Sequence, residues 1–310
     1  MTKIIPYIQL ARFDHWFKNV FIIPGIIGAI YFDNSLLNSS ILINIAGVFI
    51  AAGLVASSNY VINEILDAEF DRLHPVKRNR PVPSGLVNIK LALWEWIFFA
   101  IAGLFIAMII DRRIFWVSLS LWLMGCLYNI RPFRTKEKPY LDVLSESVNN
   151  PIRFLFGWYG TEITLLPPLS ILISYWMIGA FLMAVKRFAE IRRIANPEVA
   201  SKYRKSFVFY TEERLLVSIM FFASLFALFF GIFLVRYRIE LILAAPFIAG
   251  FLSLYMKLGF KYDSPVQYPE KLYHEHELMI YVFLCSALIS VLFFIDIPIV
   301  AQIFNQTYRK

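Results

Sequence analysis

The sequence predicts an all-α fold: a polytopic membrane bundle of about nine transmembrane helices, in one domain over residues 1–310. Three observations predict it. The chain is 59% hydrophobic and 17% charged, with 30 Phe and seven Trp, a composition of the membrane class. Apolar runs long enough to cross the hydrocarbon, roughly 20 residues each, recur along its whole length. Its charges gather in the loops between those runs.

The expected spans lie near 16–32, 41–63, 91–110, 114–130, 141–159, 168–186, 215–235, 239–257 and 278–299. The first begins near Trp16 and continues to about Tyr31 without an A-x-A-like exit, so it reads as a retained helix rather than a cleaved leader. The second, third and fourth are plain apolar runs. The fifth is the most polar, carrying Asp142, Glu146, Asn149, Asn150, Pro151 and Arg153. Polar, kinked helices at membrane depth usually line cavities. The last four spans are again strongly apolar. Cys126 and Cys285 both fall inside apolar runs and read as free, buried thiols.

Loop charge sets the expected orientation. Arg112, Arg113, Arg236, Arg238, Arg309 and Lys310 lie on one side and Arg153 within a span. All the other Lys and Arg of the 30 fall on the side of the N-terminus and of the loops near 64–90, 131–140, 187–214 and 258–277. The positive-inside rule puts that side in the cytoplasm and the C-terminus outside. The net charge of +8 is thereby accounted for by the membrane and its lipids, and a nucleic-acid partner is not expected. Chemistry, if any, sits at the cytoplasmic end, where the long loops emerge.

"NEILDAEFDRLHPVKRNRPVPSG", residues 63–85, follows directly on the second span. Asn63, Asp67 and Asp71 are spaced i, i+4, i+8 and form one stripe if the helix continues for a turn or two. Glu64 lies one step round the helix. Carboxylates at a membrane helix end need partners, and oxygen ligands in this pattern suit Mg2+, which takes one or two carboxylates and completes its shell with water and phosphate. Glu64 is a further candidate that either touches the metal or stands just behind its ligands, whereas Glu69 reads as solvated. Lys77, Arg78 and Arg80 follow at once, with His74 just before them. Diphosphate needs both a divalent cation and direct cationic donors. A solvated helix end with local acid–base pairs is the plain alternative.

A second pair, Asp142 and Glu146, is i, i+4 on the fifth span. Arg153 lies deeper and should meet either a carboxylate, as an internal salt bridge, or a phosphate. Lys186 and Arg187, with Glu190, abut the sixth span and are candidates for anion binding. Arg192, Arg193, Lys202, Arg204 and Lys205 read as lipid-headgroup contacts or a solvated face. His274 and His276, two residues apart, do not share a helix face, which argues against zinc.

The pattern Asn63-Glu64-x-x-Asp67-x-x-x-Asp71, followed by Arg80-Pro81 and Gly85, resembles the first motif of the UbiA prenyltransferase superfamily. "HPVKRNRP" (74–81), "KRFAE" (186–190) and "RFDHWFKNVFIIP" (12–24) are similar to the decaprenyl-phosphate phosphoribosyltransferase branch. Glu64 stands where that family usually has Asp, and the second motif ends in Glu146 rather than Asp. The resemblance implies a nine-helix bundle in a bacterial plasma membrane with two acidic motifs facing a cytoplasmic-side cavity. It implies Mg2+ and the transfer of 5-phosphoribose from phosphoribosyl diphosphate to a polyprenyl phosphate, releasing diphosphate, for cell-envelope glycan synthesis. Asp67, Asp71, Asp142 and Glu146 would be catalytic. Lys18, Asn19, Lys77, Arg78, Arg80, Arg153, Lys186 and Arg187 would bind substrate. The rival readings are a prenyltransferase acting on a prenyl diphosphate, and a non-catalytic transporter or lipid-binding scaffold.

Overall fold

The computed structural model describes residues 4–36, 40–72, 77–194 and 205–304. His74, Lys202, Arg204, Arg309 and Lys310 lie outside the described residues. All regular structure among the described residues is helical. The chain divides into two compact units, Met1–Pro167 with Pro197–Phe209, and Pro168–Asn196 with Tyr210–Lys310.

The first unit opens with α1 (Ile5–Ala11), a 3-10 segment (Phe13–Ile22) and α2 (Ile23–Phe32). Together they make one apolar stretch over Ile5–Phe32, so the first span starts earlier than Trp16. The early charges are tolerated because they have partners: Arg12 pairs with Glu64 at 2.7 Å, and Lys18 lies over the Tyr60 ring at 5.7 Å.

Helix α3 (Ser40–Arg72) has 33 residues, or about 50 Å at 1.5 Å per residue. The hydrocarbon needs only about 30 Å, so the helix overshoots by several turns. That overshoot keeps Asn63, Asp67 and Asp71 on one continuous face. Helix α4 (Ile89–Ile110) follows, with Asn88 accepting from Lys90 N at its start, and α5 (Arg112–Asn129) begins at the Asp111 cap.

The fifth expected span is two helices, α6 (Leu141–Ser147) and α7 (Asn149–Gly160), divided at Val148. Pro151 has no N–H to give to the carbonyl of Ser147, so the helix is interrupted one turn before it.

The core of this unit joins Ile22, Val48, Ala52, Val55, Ala107, Leu121 and Phe156. Helices α2 and α7 meet backbone to backbone. A Cβ on Gly25 would collide with the carbonyl of Phe154, and one on Gly157 with the carbonyl of Ile22.

The second unit holds α8 (Leu169–Ile194), α9 (Glu212–Tyr237), α10 (Ala245–Gly259), α11 (His276–Phe294) and α12 (Pro298–Phe304). Thr211 caps α9 by accepting from Arg214 N at 3.1 Å. Helix α8 runs two turns past its expected end. Its added turns are held by Arg192, which pairs with Glu212 at 2.7 Å and lies over the rings of Phe188 and Phe260. Arg193 donates to the Tyr268 hydroxyl at 2.7 Å.

Seven helical stretches among the described residues are long and apolar enough to span a membrane. The two other expected spans are α5 and the α6–α7 pair. They are helical, but shorter or more polar. Cys126 and Cys285 are free thiols, as expected, but only Cys285 is buried; Cys126 is half-buried.

Candidate active site

The site is built on the α3 face in the first unit. Asn63 is half-buried and donates through Nδ2 to Asn129 Oδ1 at 2.5 Å. Its own amide oxygen is thereby left as the atom to offer a cation. One turn on, Asp67 Oδ1 accepts from Arg134 Nη2 at 2.8 Å and Lys136 Nζ at 2.6 Å. A further turn on, Asp71 Oδ2 accepts from Arg80 Nη1 at 2.6 Å, and Lys77 Nζ lies 3.9 Å from Oδ1. Arg78 is exposed. Two carboxylates on one face thus meet four cations, two from each of two loops.

The loop of 131–140 supplies site residues that no local sequence pattern marks. It brings Arg134 and Lys136, and the end of α5 brings Asn129. Arg134 is buried and has a left-handed backbone at φ 32°, a conformation costing a non-glycine residue about 1–2 kcal/mol. In return its guanidinium reaches Asp67, Glu137 Oε1 at 2.7 Å and the carbonyl of Asn129 at 2.9 Å. Lys136 Nζ also donates to Asn129 Oδ1 at 2.8 Å. Asn129 thereby joins Asn63 to both loop cations.

The same loop touches the second acidic stretch. Thr135 Oγ1 lies 2.8 Å from Ser145 Oγ, and the Lys138 carbonyl accepts from Asp142 N at 3.0 Å. Asp142 is fully buried and accepts from Ser206 Oγ at 3.3 Å. Glu137 accepts from Lys205 Nζ at 3.1 Å, so Lys205 holds this loop rather than standing alone as a headgroup contact. Burial opposes ionisation of Glu137, but the hydrogen bonds from Lys205 and Arg134 outweigh it and hold the carboxyl below its ordinary range.

Glu64 has a different task from its stripe neighbours. It is 1% exposed, with Oε2 on Arg12 and Oε1 accepting from Val82 N at 3.1 Å. Both oxygens are committed to tying the N-terminal helix and the "PVPSG" turn to α3. Glu69 is exposed.

Deeper in the unit, Arg153 is buried with no carboxylate within 4 Å. Its bonds are to Asn19 Oδ1 and the Asn149 carbonyl, both at 3.5 Å. The internal salt bridge expected as one alternative is therefore not formed. Glu146 is half-buried and within electrostatic reach of Lys18. In the second unit Arg187 is buried and paired with Glu190 at 2.8 Å, and Lys186 is half-buried. His274 ends a 3-10 segment and His276 starts α11.

Among the described residues no three His, Cys, Asp or Glu side chains cluster as a ready metal cage. Asp67, Asp71 and the Asn63 amide oxygen do fit a hard cation that fills the rest of its shell with water and phosphate oxygens. They do not fit a cation held by protein alone.

The UbiA prenyltransferase family model matches residues 21–284. A decaprenyl-phosphate phosphoribosyltransferase of Mycolicibacterium smegmatis is 27% identical over 213 residues, covering 67% of this chain and 63% of that protein. The enzyme of the same name from Corynebacterium glutamicum is 27% identical over 66% of this chain and 59% of its own length. The chain thus spans about three fifths of the curated relatives it matches. A digeranylgeranylglyceryl phosphate synthase of Thermococcus gammatolerans is 26% identical over 43% of this chain and 45% of its own length. Among solved structures, a UbiA homologue from Archaeoglobus fulgidus bound to DMAPP and Mg2+ superposes with a TM-score of 0.71 at 21% identity. The match covers 92% of this chain and 99% of that one.

Proposed function

The chain belongs to the UbiA prenyltransferase family, and on that premise we propose that it transfers 5-phosphoribose from phosphoribosyl diphosphate to a polyprenyl phosphate, releasing diphosphate, as a Mg2+-dependent step in making a cell-envelope glycan precursor. It is an integral-membrane transferase. The observation that carries the reading is the α3 face, where Asp67 and Asp71 sit among Arg134, Lys136, Arg80 and Lys77. Such a mixed cradle suits a polyanion arriving with a divalent cation. Similarity to the phosphoribosyltransferases of M. smegmatis and C. glutamicum favours a ribosyl over a prenyl donor.

In this reading Asn63, Asp67 and Asp71 would hold Mg2+, which would supply charge neutralisation for the leaving diphosphate. Arg80, Lys77, Arg134 and Lys136 turn from the carboxylates to the phosphate oxygens. An oxygen of the lipid phosphate forms a bond to ribose C1 as the bond from C1 to the diphosphate oxygen breaks. The electron pair leaves with diphosphate, and the ribose passes through oxocarbenium character. The acceptor is already an anion and needs no base. Half-buried Glu146 would meet the ribose hydroxyls or a second metal, with fully buried Asp142 held by Ser206 on the same polar span, and the apolar helix walls would hold the prenyl chain. The N-terminus and the site loops face the cytoplasm, where the donor is dissolved.

A prenyltransferase reading has the A. fulgidus fold in its favour, solved with DMAPP. Donor competition separates the two. Purified protein with polyprenyl phosphate and Mg2+ should label lipid from phosphoribosyl diphosphate. Label entering lipid only from a prenyl diphosphate would defeat the ribosyl reading.

A further inference from the structure

Two polar rungs tie α3 to α5. Asn63 donates to Asn129 Oδ1 at 2.5 Å. One turn further into the span, about 6 Å along the axis, Asn59 Nδ2 donates to the Leu121 carbonyl at 2.9 Å. Because that partner is a carbonyl, the Asn59 amide can be set only one way round, with its NH2 group on Leu121. Its Oδ1 is buried and accepts no hydrogen bond, although the residue as a whole is only half-buried. A buried amide oxygen without a donor is costly, and in an apolar span it marks a function. Gly125 admits this side chain, since a Cβ there would collide with the Asn59 amide. The Gly125 carbonyl also accepts from Asn129 Nδ2 at 2.9 Å, so α5 fixes both rungs. Asn59 thus extends the spacing of Asn63, Asp67 and Asp71 by one more turn.

We propose that Asn59 reads the sugar of the donor, its Oδ1 accepting a hydrogen bond from a ribose hydroxyl. The assignment rests on the ribosyl reading and deepens it. A lone carbonyl oxygen repels phosphate oxygens and is satisfied only by an N–H or O–H. In phosphoribosyl diphosphate the ribose 2- and 3-hydroxyls are the permanent O–H donors, whereas a prenyl diphosphate presents only C–H at the same place. These hydroxyls stand a few bonds from the diphosphate, as Asn59 stands one turn beyond Asn63 on the face proposed to hold it. A ligand lacking the hydroxyl leaves the oxygen buried and unpaired, which makes one such group a strong discriminator.

The test is direct binding of phosphoribosyl diphosphate, inorganic diphosphate and geranyl diphosphate to the purified full chain in detergent, with Mg2+ and without acceptor. Asn59→Leu should lose at least about tenfold in affinity for phosphoribosyl diphosphate and keep its affinity for inorganic diphosphate. It should bind geranyl diphosphate as tightly as the parent or tighter, because no unpaired oxygen then meets the hydrocarbon. Asn59→Ala should show the same selective loss without leucine's branched carbon pressing on Gly125. Asn59→Thr, whose hydroxyl can both donate to Leu121 and accept from the sugar, should recover part of the loss. Unchanged affinity of Asn59→Leu and Asn59→Ala for phosphoribosyl diphosphate, or an equal loss for all three ligands, overturns the assignment. If the parent makes phosphoribosyl lipid while these variants bind the donor normally, only the Asn59 contact fails. If the parent binds geranyl diphosphate but holds phosphoribosyl diphosphate no better than inorganic diphosphate, the ribosyl reading fails and the contact with it.

Discussion

Lys136 Nζ sits 2.6 Å from Asp67 Oδ1, across 69 residues of sequence. The contact brings the loop after α5 onto the acidic face of α3, and it makes the two residues separable by experiment. Asp67→Asn keeps the shape and removes the charge. It should lower kcat/KM by about two orders of magnitude with little change in melting temperature. Lys136→Met should act mainly on the donor, raising its KM about tenfold. Steady-state kinetics with donor and acceptor varied separately will check both. Equal effects of Lys136→Met on the two substrates would argue against the assignment.

Asn129 accepts from Asn63 and Lys136 on a single oxygen, and its Nδ2 is held by the Gly125 carbonyl at 2.9 Å. If Asn63 holds the cation as proposed, Asn129 positions that ligand without itself touching the cation. Asn129→Leu should therefore weaken metal affinity about tenfold, the usual scale for a partner of a ligand. Asn129→Asp, which keeps the acceptor, should largely restore it. Binding of Mn2+ followed by electron paramagnetic resonance reads this without turnover. A melting temperature that falls with unchanged Mn2+ affinity would make Asn129 a packing residue only.

The α3 stripe was legible because a helix repeats every 3.6 residues, so i, i+4, i+8 spacing alone puts Asn63, Asp67 and Asp71 on one face. The kink of the fifth span was legible in Asn149-Asn150-Pro151. Asn129, Arg134 and Lys136 were not, because nothing local says that a loop some 60 residues on will return to α3. The available signal was an Asn closing an apolar helix ahead of a cationic loop, the same order as Asn63 ahead of Arg80. Glu64 stood one step round the helix in the sequence, but its partners, 52 and 18 residues away, were not legible there. About 100° of rotation takes it off the stripe and into the packing of Arg12 and Val82. Arg187 had its partner in plain view, with Glu190 one turn away.

Breaking the Glu64–Arg12 pair should cost stability rather than chemistry. Removing one partner of a buried pair typically costs about 3–5 kcal/mol, because the other is left charged and alone. Glu64→Ala should lower the melting temperature sharply, and Glu69→Ala, at an exposed position of the same helix, should not. Replacing both partners, with Arg12→Met and Glu64→Met, should recover much of the loss. If Glu64→Ala instead melts normally and loses its response to Mg2+, then Glu64 is a metal ligand after all.

Glu137 gives the 131–140 loop a pH dependence whose sign follows from its partners. Lys205 and Arg134 hold its carboxyl below the ordinary value in the folded protein. The unfolded or opened loop binds the proton more readily, near the usual pKa of about 4.3. The stabilisation is therefore fully present above that value and is lost as pH falls through the lower folded value. Acidification from pH 6 towards pH 3 should release the loop before the apolar helices open. Protection of the amides across 131–140, taken relative to the intrinsic exchange rate at each pH, should fall over that range while protection in α4 stays high. Glu137→Gln cannot ionise, so its loop should exchange faster at pH 6 and change less on acidification. The same variant should weaken the hold on Arg134, and hence on Asp67, which predicts a raised donor KM at neutral pH. A loop that exchanges identically in parent and variant at both pH values would show that Lys205 and Arg134 hold it without Glu137.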